Sequence, residues 1–199
     1  MSFCPATPKL NLALVLGGAR SGKSGLALAL AERFPAPRLF VATAQAHDEE
    51  MAARIARHQA ERGKSWDTLE APLELETALE AAAGRYGVVL VDCLTLWLTN
   101  LLLAPGATEA EVRRRGADLA ALLGHLPTPA ILVSNEVGWG IVPEHPLGRQ
   151  FRDQAGWLHQ TLAQAADLVV LAVAWLPLAL KGDAAALQGL AGARGRETS

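Results

Sequence analysis

The sequence predicts a single-domain α/β fold, a three-layer sandwich in which helices cover both faces of a mostly parallel central sheet. Short apolar runs alternate with longer segments of helical periodicity. The chain has 199 residues, of which 51% are hydrophobic, and this is enough for one core. We expect the domain to span 10–181, between a loose leader at 1–9 and a C-terminal tail at 182–199.

Five apolar runs have the length and continuous hydrophobicity of strands buried on both faces, at 10–16, 38–43, 87–92, 130–135 and 167–174. Helical periodicity follows each of the first four, and we predict helices at 22–33, 48–62, 73–83, 94–103, 108–125 and 147–166. Parallel α/β sheets bind ligands beyond the carboxyl ends of their strands. The loops after Leu16, Val41, Val91 and Val133 are therefore the expected site.

Composition excludes several classes of function. A net charge of −2 gives no basic field for a nucleic acid. Cys4 and Cys93 have no metal-binding or CxxC spacing. No signal-peptide pattern opens the sequence, and the longest apolar run, 168–180, is shorter than the roughly 20 residues that span a membrane. We expect a cytoplasmic protein without a membrane span or a nucleic-acid partner, acting on small molecules.

The segment GGARSGKS, residues 17–24, matches the pattern G-x4-G-K-[ST] between a predicted strand and a predicted helix. Its glycines permit a tight turn, and its backbone N–H groups and the helix N-terminus face phosphate oxygens. Lysine then reaches the β- and γ-phosphates, and Ser24 can ligate Mg²⁺. We therefore predict a P-loop NTPase-like domain whose nucleotide-binding residues include Gly17, Gly18, Ala19, Arg20, Ser21, Gly22, Lys23 and Ser24.

An acidic residue at the end of a neighbouring strand completes the metal site of many phosphate loops. Asp92 closes the run GVVLVD and fits this role. We predict that Ser24 and Asp92 hold Mg²⁺. The alternative is that Asp92 caps the helix that follows it.

A basic stripe surrounds one histidine in RIARHQAERGK, residues 54–64. At helical spacing, Arg54, His58 and Arg62 share one face. Neighbouring cations keep an imidazole neutral and nucleophilic, and guanidinium groups can take the charge of a phosphate under attack. The alternative is a surface histidine on a solvated charged helix. The residues themselves leave both interpretations open.

Four segments carry a resemblance to a known family, at 16–24, 41–72, 89–102 and 133–167. The most specific are the block A-T-x-Q…D-E-M-x-x-R-I-x-x-H and the segment N-E-V-G-x-G-I-V-P…F-R-D-x-x-G. Together they resemble the bifunctional adenosylcobinamide kinase/adenosylcobinamide-phosphate guanylyltransferase family of cobalamin biosynthesis. The resemblance covers about 11–181.

This resemblance implies that His58 takes up GMP, with Arg54 and Arg62 as a phosphate clamp. It also implies nucleotide contacts in the loops after three strands and behind the histidine, at Ala42, Thr43, Ala44, Gln59, Ala60, Glu61, Arg62, Glu70 and Asp92. For Thr43 and Glu70, a role in a turn or a cap is the alternative. The implied substrates are GTP, ATP and the corrinoid adenosylcobinamide, and the implied assembly is a homotrimer.

Two further expectations concern the second substrate and the motion of the protein. Arg149, Arg152 and Asp153 follow the NEVGWGIVP loop and are candidates for binding the corrinoid, the alternative being a rigid connector or a subunit contact. Because the γ- and α-phosphates lie apart, we expect helix 48–62 to move, or the triphosphate to bind in two registers. The chain departs from many relatives at His159, where they have Asn, and at Trp175, where they have Gly.

Two other functions fit the P-loop. One is a P-loop kinase for another small alcohol, with a structural His58. The other is a non-catalytic nucleotide-gated module that takes a trans-acting arginine from the run Arg113–Arg115, for which a solvated helix face is the alternative.

Overall fold

The computed structural model describes residues 10–44 and 65–190. Its described strands form one seven-stranded sheet in the order β3-β2-β4-β5-β1-β6-β7. All neighbouring pairs are parallel except β6 and β7, which are antiparallel. The strands are β1 Leu12–Gly17, β2 Arg38–Ala42, β3 Trp66–Glu70, β4 Val88–Asp92, β5 Ala130–Asn135, β6 Leu168–Val173 and β7 Leu176–Lys181.

Helices cover both faces of this sheet. Helix α1 packs on one face, over Val15 of β1 and Val133 of β5. The other described α-helices cover the opposite face, over Leu14 and Leu132 of the same two strands. The helices are α1 Lys23–Ala31, α2 Leu75–Ala82, α3 Leu94–Leu103, α4 Glu109–His125 and α5 Pro146–Ala165, with a 3-10 turn at Ala184–Leu187. The predicted three-layer α/β fold is confirmed.

All five predicted strands are present, and two further strands are not among the predictions. Strand β3 exposes every residue except Trp66, and β7 contains Pro177 and alternates between half-buried and exposed positions. Both strands lie at an edge of the sheet, where a polar sequence or a proline is tolerated. The predicted helix 48–62 and the predicted leader 1–9 lie outside the described residues.

The chain continues to pack after β7. Leu187 and Leu190 are buried against the layer that contains α1. Arg33, which follows α1, donates hydrogen bonds to the carbonyls of Ala186, at 2.7 Å, and Gln188. The first half of the predicted tail thus contributes to the core. Within the described ranges, no helix is both long and apolar enough to cross a bilayer.

The arginine run of α4 is used within the chain. Arg113 stacks 3.1 Å from the ring centroid of Trp157, and Arg115 donates to both carboxylate oxygens of Glu76, at 2.7 and 2.6 Å. Arg114 pairs with two acidic residues of its own helix. These contacts fasten α4 to α5 and α2, and they disfavour the use of the run as a source of a trans-acting arginine.

Two glycines provide a test of how tightly the sheet packs. A Cβ atom at Gly87, before β4, would lie 2.0 Å from the carbonyl oxygen of Pro35, whereas one at Gly124 in α4 would meet no atom within 4 Å. We expect Gly87→Ala to lower the free energy of unfolding by about 1–3 kcal/mol. Gly124→Ala, in a helix, should be neutral or stabilising by up to ~1 kcal/mol. Denaturant unfolding at fixed protein concentration measures both, and equal midpoints would contradict this packing.

Candidate active site at the carboxyl edge of the sheet

The phosphate loop is shaped by close backbone approach. Gly17 ends β1, and a Cβ atom there would lie 2.4 Å from Ser21 Oγ and 2.7 Å from the carbonyl oxygen of Ala172. Gly22 precedes α1 with φ 89°, a left-handed conformation that glycine adopts without strain. Arg20 also has a positive φ, of 58°. The loop therefore wraps tightly around the end of β1, as the sequence pattern predicts.

The polar groups of the loop converge on its centre. The ammonium of Lys23 donates to the carbonyl oxygen of Gly18 at 3.1 Å, so this side chain spans the loop. Ser21 is buried, and its hydroxyl accepts from the backbone N–H of Lys23 at 3.4 Å. Ser24 lies in the first turn of α1. Residues 17–24 thus place a cation, a hydroxyl and a helix N-terminus around one small volume, which suits phosphate.

Trp175, where the chain departs from the residue expected in many relatives, braces this loop. Ala174 and Trp175 form the turn between β6 and β7, with positive φ angles of 51° and 65°. The backbone N–H of Trp175 donates to the carbonyl oxygen of Ser21 at 2.8 Å. Its ring fills the space beside Gly22 and Gly25, where added Cβ atoms would come within 2.6 and 2.2 Å of it. The glycine expected here in many relatives has no ring to fill this space. Trp175 therefore supports the phosphate loop through a contact that the P-loop sequence pattern does not include.

Asp92 ends β4, two strands from the phosphate loop. Burial raises the pKa of the neighbouring Cys93 thiol; the charge of Asp92 also raises this pKa, and that of Lys23 lowers it. Asp92 and Lys23 therefore act on the same small region. Cys93, and not Asp92, is the N-cap residue of α3, and the Cys93 side chain makes no capping hydrogen bond. Metal binding by Asp92 stays a prediction. The carboxylate and the Ser24 hydroxyl are hard oxygen donors of the kind that Mg²⁺ prefers.

The predicted contacts after β2 and β3 lie at the same edge. Ala42 ends β2 and Glu70 ends β3 at paired positions. Thr43 is fully buried, and its hydroxyl donates to the carbonyl oxygen of Cys93 at 2.6 Å and accepts from its N–H at 2.9 Å. This hydroxyl therefore joins the loops after β2 and β4, which is a structural role other than the expected turn or cap. Nucleotide contact by Ala42, Thr43, Ala44 and Glu70 stays a prediction.

A polar cluster at the end of β5 was not among the sequence predictions. The backbone N–H of Glu136 donates to the carbonyl oxygen of Gly17 at 3.1 Å, which fixes this residue beside the phosphate loop. Its Oε1 atom accepts from the N–H of Gly138 at 2.8 Å. The amide of Asn135 donates to Thr95 Oγ1 at 2.9 Å, linking β5 to α3. In the sequence, this cluster is indicated by two adjacent polar residues, Asn135 and Glu136, at the end of a buried apolar run.

His159 of α5 lies against two residues of this cluster, Ser134 and Glu136. Its Nε2 atom shares a 2.7 Å hydrogen bond with Ser134 Oγ, and its Nδ1 atom lies 3.9 Å from Glu136 Oε2. Burial lowers the pKa of His159, and the charge of Glu136 opposes this shift only in part. The imidazole is therefore neutral at neutral pH. His159 is the position where many relatives are expected to have Asn, so this titratable group is a departure with a physical consequence.

The loop between β5 and α5 borders a cavity of about 260 Å³. Arg149 donates to the backbone carbonyls of Pro143, at 3.0 Å, and Glu144, so it braces the loop, as the connector alternative requires. Arg152 and Asp153 lie 3.6 Å apart and both line the cavity. Its other lining residues are Gly138, Gly156, Trp157 and Gln160.

The remaining predicted site residues lie outside the described residues. They are the proposed nucleophile, its clamp and the segment that follows it, namely Arg54, His58, Gln59, Ala60, Glu61 and Arg62. Their roles stay predictions.

A family model described as cobinamide kinase/cobinamide phosphate guanyltransferase matches residues 13–180. The chain belongs to this family. The match spans the sheet from β1 to β7 and includes the phosphate loop, Asp92 and the β5 cluster. The resemblance inferred from the sequence motifs is confirmed.

Curated relatives match over nearly their whole length. The bifunctional adenosylcobalamin biosynthesis protein CobP of Pseudomonas aeruginosa is 52% identical over 172 residues, which cover 85% of this chain and 97% of CobP. The corresponding protein CobU of Salmonella typhimurium is 42% identical, covering 84% of this chain and 98% of CobU. A solved structure, the P4 protein from bacteriophage phi6 in complex with ADP, aligns with a TM-score of 0.43 and 14% identity, over 85% of this chain and 54% of P4. This last likeness is too weak to support an inference.

The buried histidine predicts a pH dependence of stability. Because the pKa of His159 is lowered in the folded protein, the unfolded chain takes up this proton first as the pH falls below about 6.5. The stabilisation is present above that pH and is lost as the pH falls through the folded-state pKa. We expect the wild-type protein to lose more stability between pH 7 and pH 5 than His159→Asn.

Denaturant unfolding at a series of pH values and one protein concentration measures this difference. Substitution of the exposed His125 by Asn, at the end of α4, is the control and should leave the wild-type slope unchanged. Parallel pH slopes for wild type and His159→Asn would contradict the interpretation.

Proposed function

We propose that this enzyme phosphorylates adenosylcobinamide with ATP or GTP and then transfers GMP from GTP, through His58, to adenosylcobinamide phosphate, giving adenosylcobinamide-GDP. The observation that carries the proposal is the phosphate loop 17–24, whose Lys23 and Ser24 lie at the same sheet edge as Asp92 in a chain of this family. The names of CobP and CobU as bifunctional adenosylcobalamin biosynthesis proteins support it.

The kinase half requires a triphosphate held in line with the acceptor hydroxyl. Backbone N–H groups of residues 17–24 and the N-terminus of α1 would bind the β- and γ-phosphate oxygens, and Lys23 would neutralise the charge that builds up between them. Such positioning and neutralisation supply most of the rate enhancement in phosphoryl transfer. Ser24 and Asp92 would hold Mg²⁺, which supplies charge neutralisation at the phosphates.

The guanylyltransferase half would use a covalent intermediate. The imidazole of His58 attacks the α-phosphorus of GTP, the bond to the bridging oxygen breaks, and pyrophosphate leaves with the electron pair. Arg54 and Arg62 would take the charge of the phosphate during attack. The phosphate oxygen of adenosylcobinamide phosphate then displaces the histidine from the GMP phosphorus. This sequence divides one difficult displacement into two.

A mass measurement tests the covalent step. The purified protein is incubated with Mg-GTP and no corrinoid, denatured, and analysed by intact mass and peptide mapping. We expect an acid-labile GMP adduct on 55–62 that is absent from His58→Ala and present in His125→Ala, a matched control at an exposed histidine. The reason is that only a nucleophile next to the α-phosphate forms a phosphoramidate.

Absence of the adduct from a protein that binds GTP would contradict the covalent mechanism. It would favour the second candidate, a P-loop kinase with a structural His58, because the phosphate loop requires only phosphoryl transfer. Full phosphoryl transfer by His58→Ala distinguishes the two halves of the reaction.

We also propose a cytoplasmic homotrimer. The outer edge of the sheet supports assembly, because β7 exposes Leu176, Leu178 and Leu180 by more than half of their surface, next to the exposed Val173. Apolar surface of this kind is typical of subunit contacts. Light scattering after size exclusion should give three times the 21.0 kDa chain mass, and a monomeric mass would contradict the proposal. Cell fractionation tests the location.

A further inference from the structure

We propose that Glu136 is the general base of the kinase step, the carboxylate that binds the acceptor hydroxyl and takes its proton. This assignment rests on the proposed function, since it needs an alcohol acceptor and a triphosphate in the phosphate loop. It concerns a residue that the phosphate-loop pattern does not include. The geometry of the β5 cluster, formed by Ser134, Asn135, Glu136, Gly138 and His159, points to it.

Glu136 lies closer to the phosphate loop along the sheet edge than Glu70 does. Within the described residues, three carboxylates stand at or directly after the carboxyl end of a parallel strand: Glu70, Asp92 and Glu136. Strands are about 4.8 Å apart. Glu70 is therefore roughly 19 Å from the β1 strand across four spacings, whereas Glu136 follows the strand directly beside β1. Its backbone N–H also holds the carbonyl oxygen of Gly17.

Asp92 and Glu136 lie on different faces of the sheet. Along β4, Val88 and Leu90 pack in the layer with α1, so the alternation of strand side chains places Asp92 on that face. Along β5, Ser134 faces α5 through its bond to His159, and the same alternation places Glu136 there. The two carboxylates thus stand on opposite faces of one edge. Asp92 suits the metal on the phosphate-loop side, and Glu136 suits an acceptor arriving from the α5 side.

The surroundings of the Glu136 carboxylate suit a proton acceptor. Among the described residues, the only group that could carry a positive charge within 4 Å of it is His159. Because burial lowers the pKa of that histidine, the ring is neutral at neutral pH and forms no ion pair with the carboxylate. The N–H of Gly138 donates to Oε1 of this carboxylate at 2.8 Å and fixes its direction without adding a charge. A carboxylate with a fixed direction and, within 10–44 and 65–190, no cationic partner suits a proton acceptor.

A cavity beside Gly138 gives an acceptor access to Glu136. Gly138, whose N–H bonds to Glu136, also lines the cavity of about 260 Å³ between the β5–α5 loop and α5. The ring of Trp157 and the amide of Gln160 border the same cavity. A large acceptor that bears amide groups could rest on this surface and extend a hydroxyl-bearing side chain past Glu136 toward the phosphate loop.

The proposed phosphoryl transfer is a single displacement at the γ-phosphorus. The acceptor oxygen forms a bond to the γ-phosphorus while its proton passes to a carboxylate oxygen of Glu136. The bond between the γ-phosphorus and the β,γ-bridging oxygen breaks, and the nucleoside diphosphate leaves with the electron pair. The carboxylic acid then returns its proton to water.

The two proposed activities make the test specific. Wild type, Glu136→Gln, Glu136→Asp and the control Glu144→Gln are each assayed for transfer of labelled γ-phosphate from Mg-ATP to adenosylcobinamide, and separately for the GMP adduct with Mg-GTP alone. Glu144 lies on the same loop, and its side chain forms no hydrogen bond or ion pair with the described residues. The control therefore removes one negative charge from this loop without touching the β5 cluster.

We expect Glu136→Gln to lower phosphoryl transfer by ~100- to 10,000-fold while forming the adduct at the wild-type rate. Glu136→Asp should recover part of the loss, and Glu144→Gln should match wild type. Unchanged phosphoryl transfer in Glu136→Gln would overturn the assignment, as would equal loss of both activities, which would indicate a role in folding or nucleotide binding. A wild-type protein without phosphoryl transfer would overturn the proposed function itself.

Discussion

The convergence of parallel strand ends on the phosphate loop is the constraint on which the rest of the structure depends. Strands β4, β5 and β1 lie side by side and point the same way, so the residues that follow them meet at one edge. The loop after β1 packs tightly at this edge, because a Cβ atom at Gly17 would lie 2.4 Å from Ser21 Oγ and 2.7 Å from the carbonyl oxygen of Ala172. Every group assigned to phosphate, metal or acceptor in the described residues is positioned by this packing.

Buried polar links make the edge rigid. Thr43 joins the β2 loop to Cys93, Asn135 joins β5 to α3 through Thr95, and the Ser134–His159 pair joins β5 to α5. Each link satisfies polar groups that burial would otherwise penalise. Since these links span neighbouring elements, they hold the loops at fixed separations, and Trp175 adds an apolar brace from the far side. Fixed donors at the sites of developing charge are the main requirement of phosphoryl transfer.

The sequence predicted the parts of this molecule that depend on local pattern. Continuous apolar runs identified the buried strands, and the spacing of Gly17, Gly22, Lys23 and Ser24 identified the phosphate loop. Strand β3 was not predicted because its exposed positions are mostly polar, and β7 was not predicted because its apolar run contains Pro177 and directly continues that of β6. The β5 cluster was not predicted for a different reason. Ser134 and His159 are 25 residues apart, and only the packing of α5 on β5 brings them within hydrogen-bonding distance.

Amide hydrogen exchange with and without Mg²⁺ and a non-hydrolysable GTP analogue tests the central claim, that this edge holds the nucleotide, most directly. We expect strong new protection of residues 17–25 and of the segment after Asp92, with little change in α4, Glu109–His125, which packs on the face of the sheet opposite α1. Binding of the analogue with unchanged exchange at 17–25, and protection confined to another surface, would contradict it.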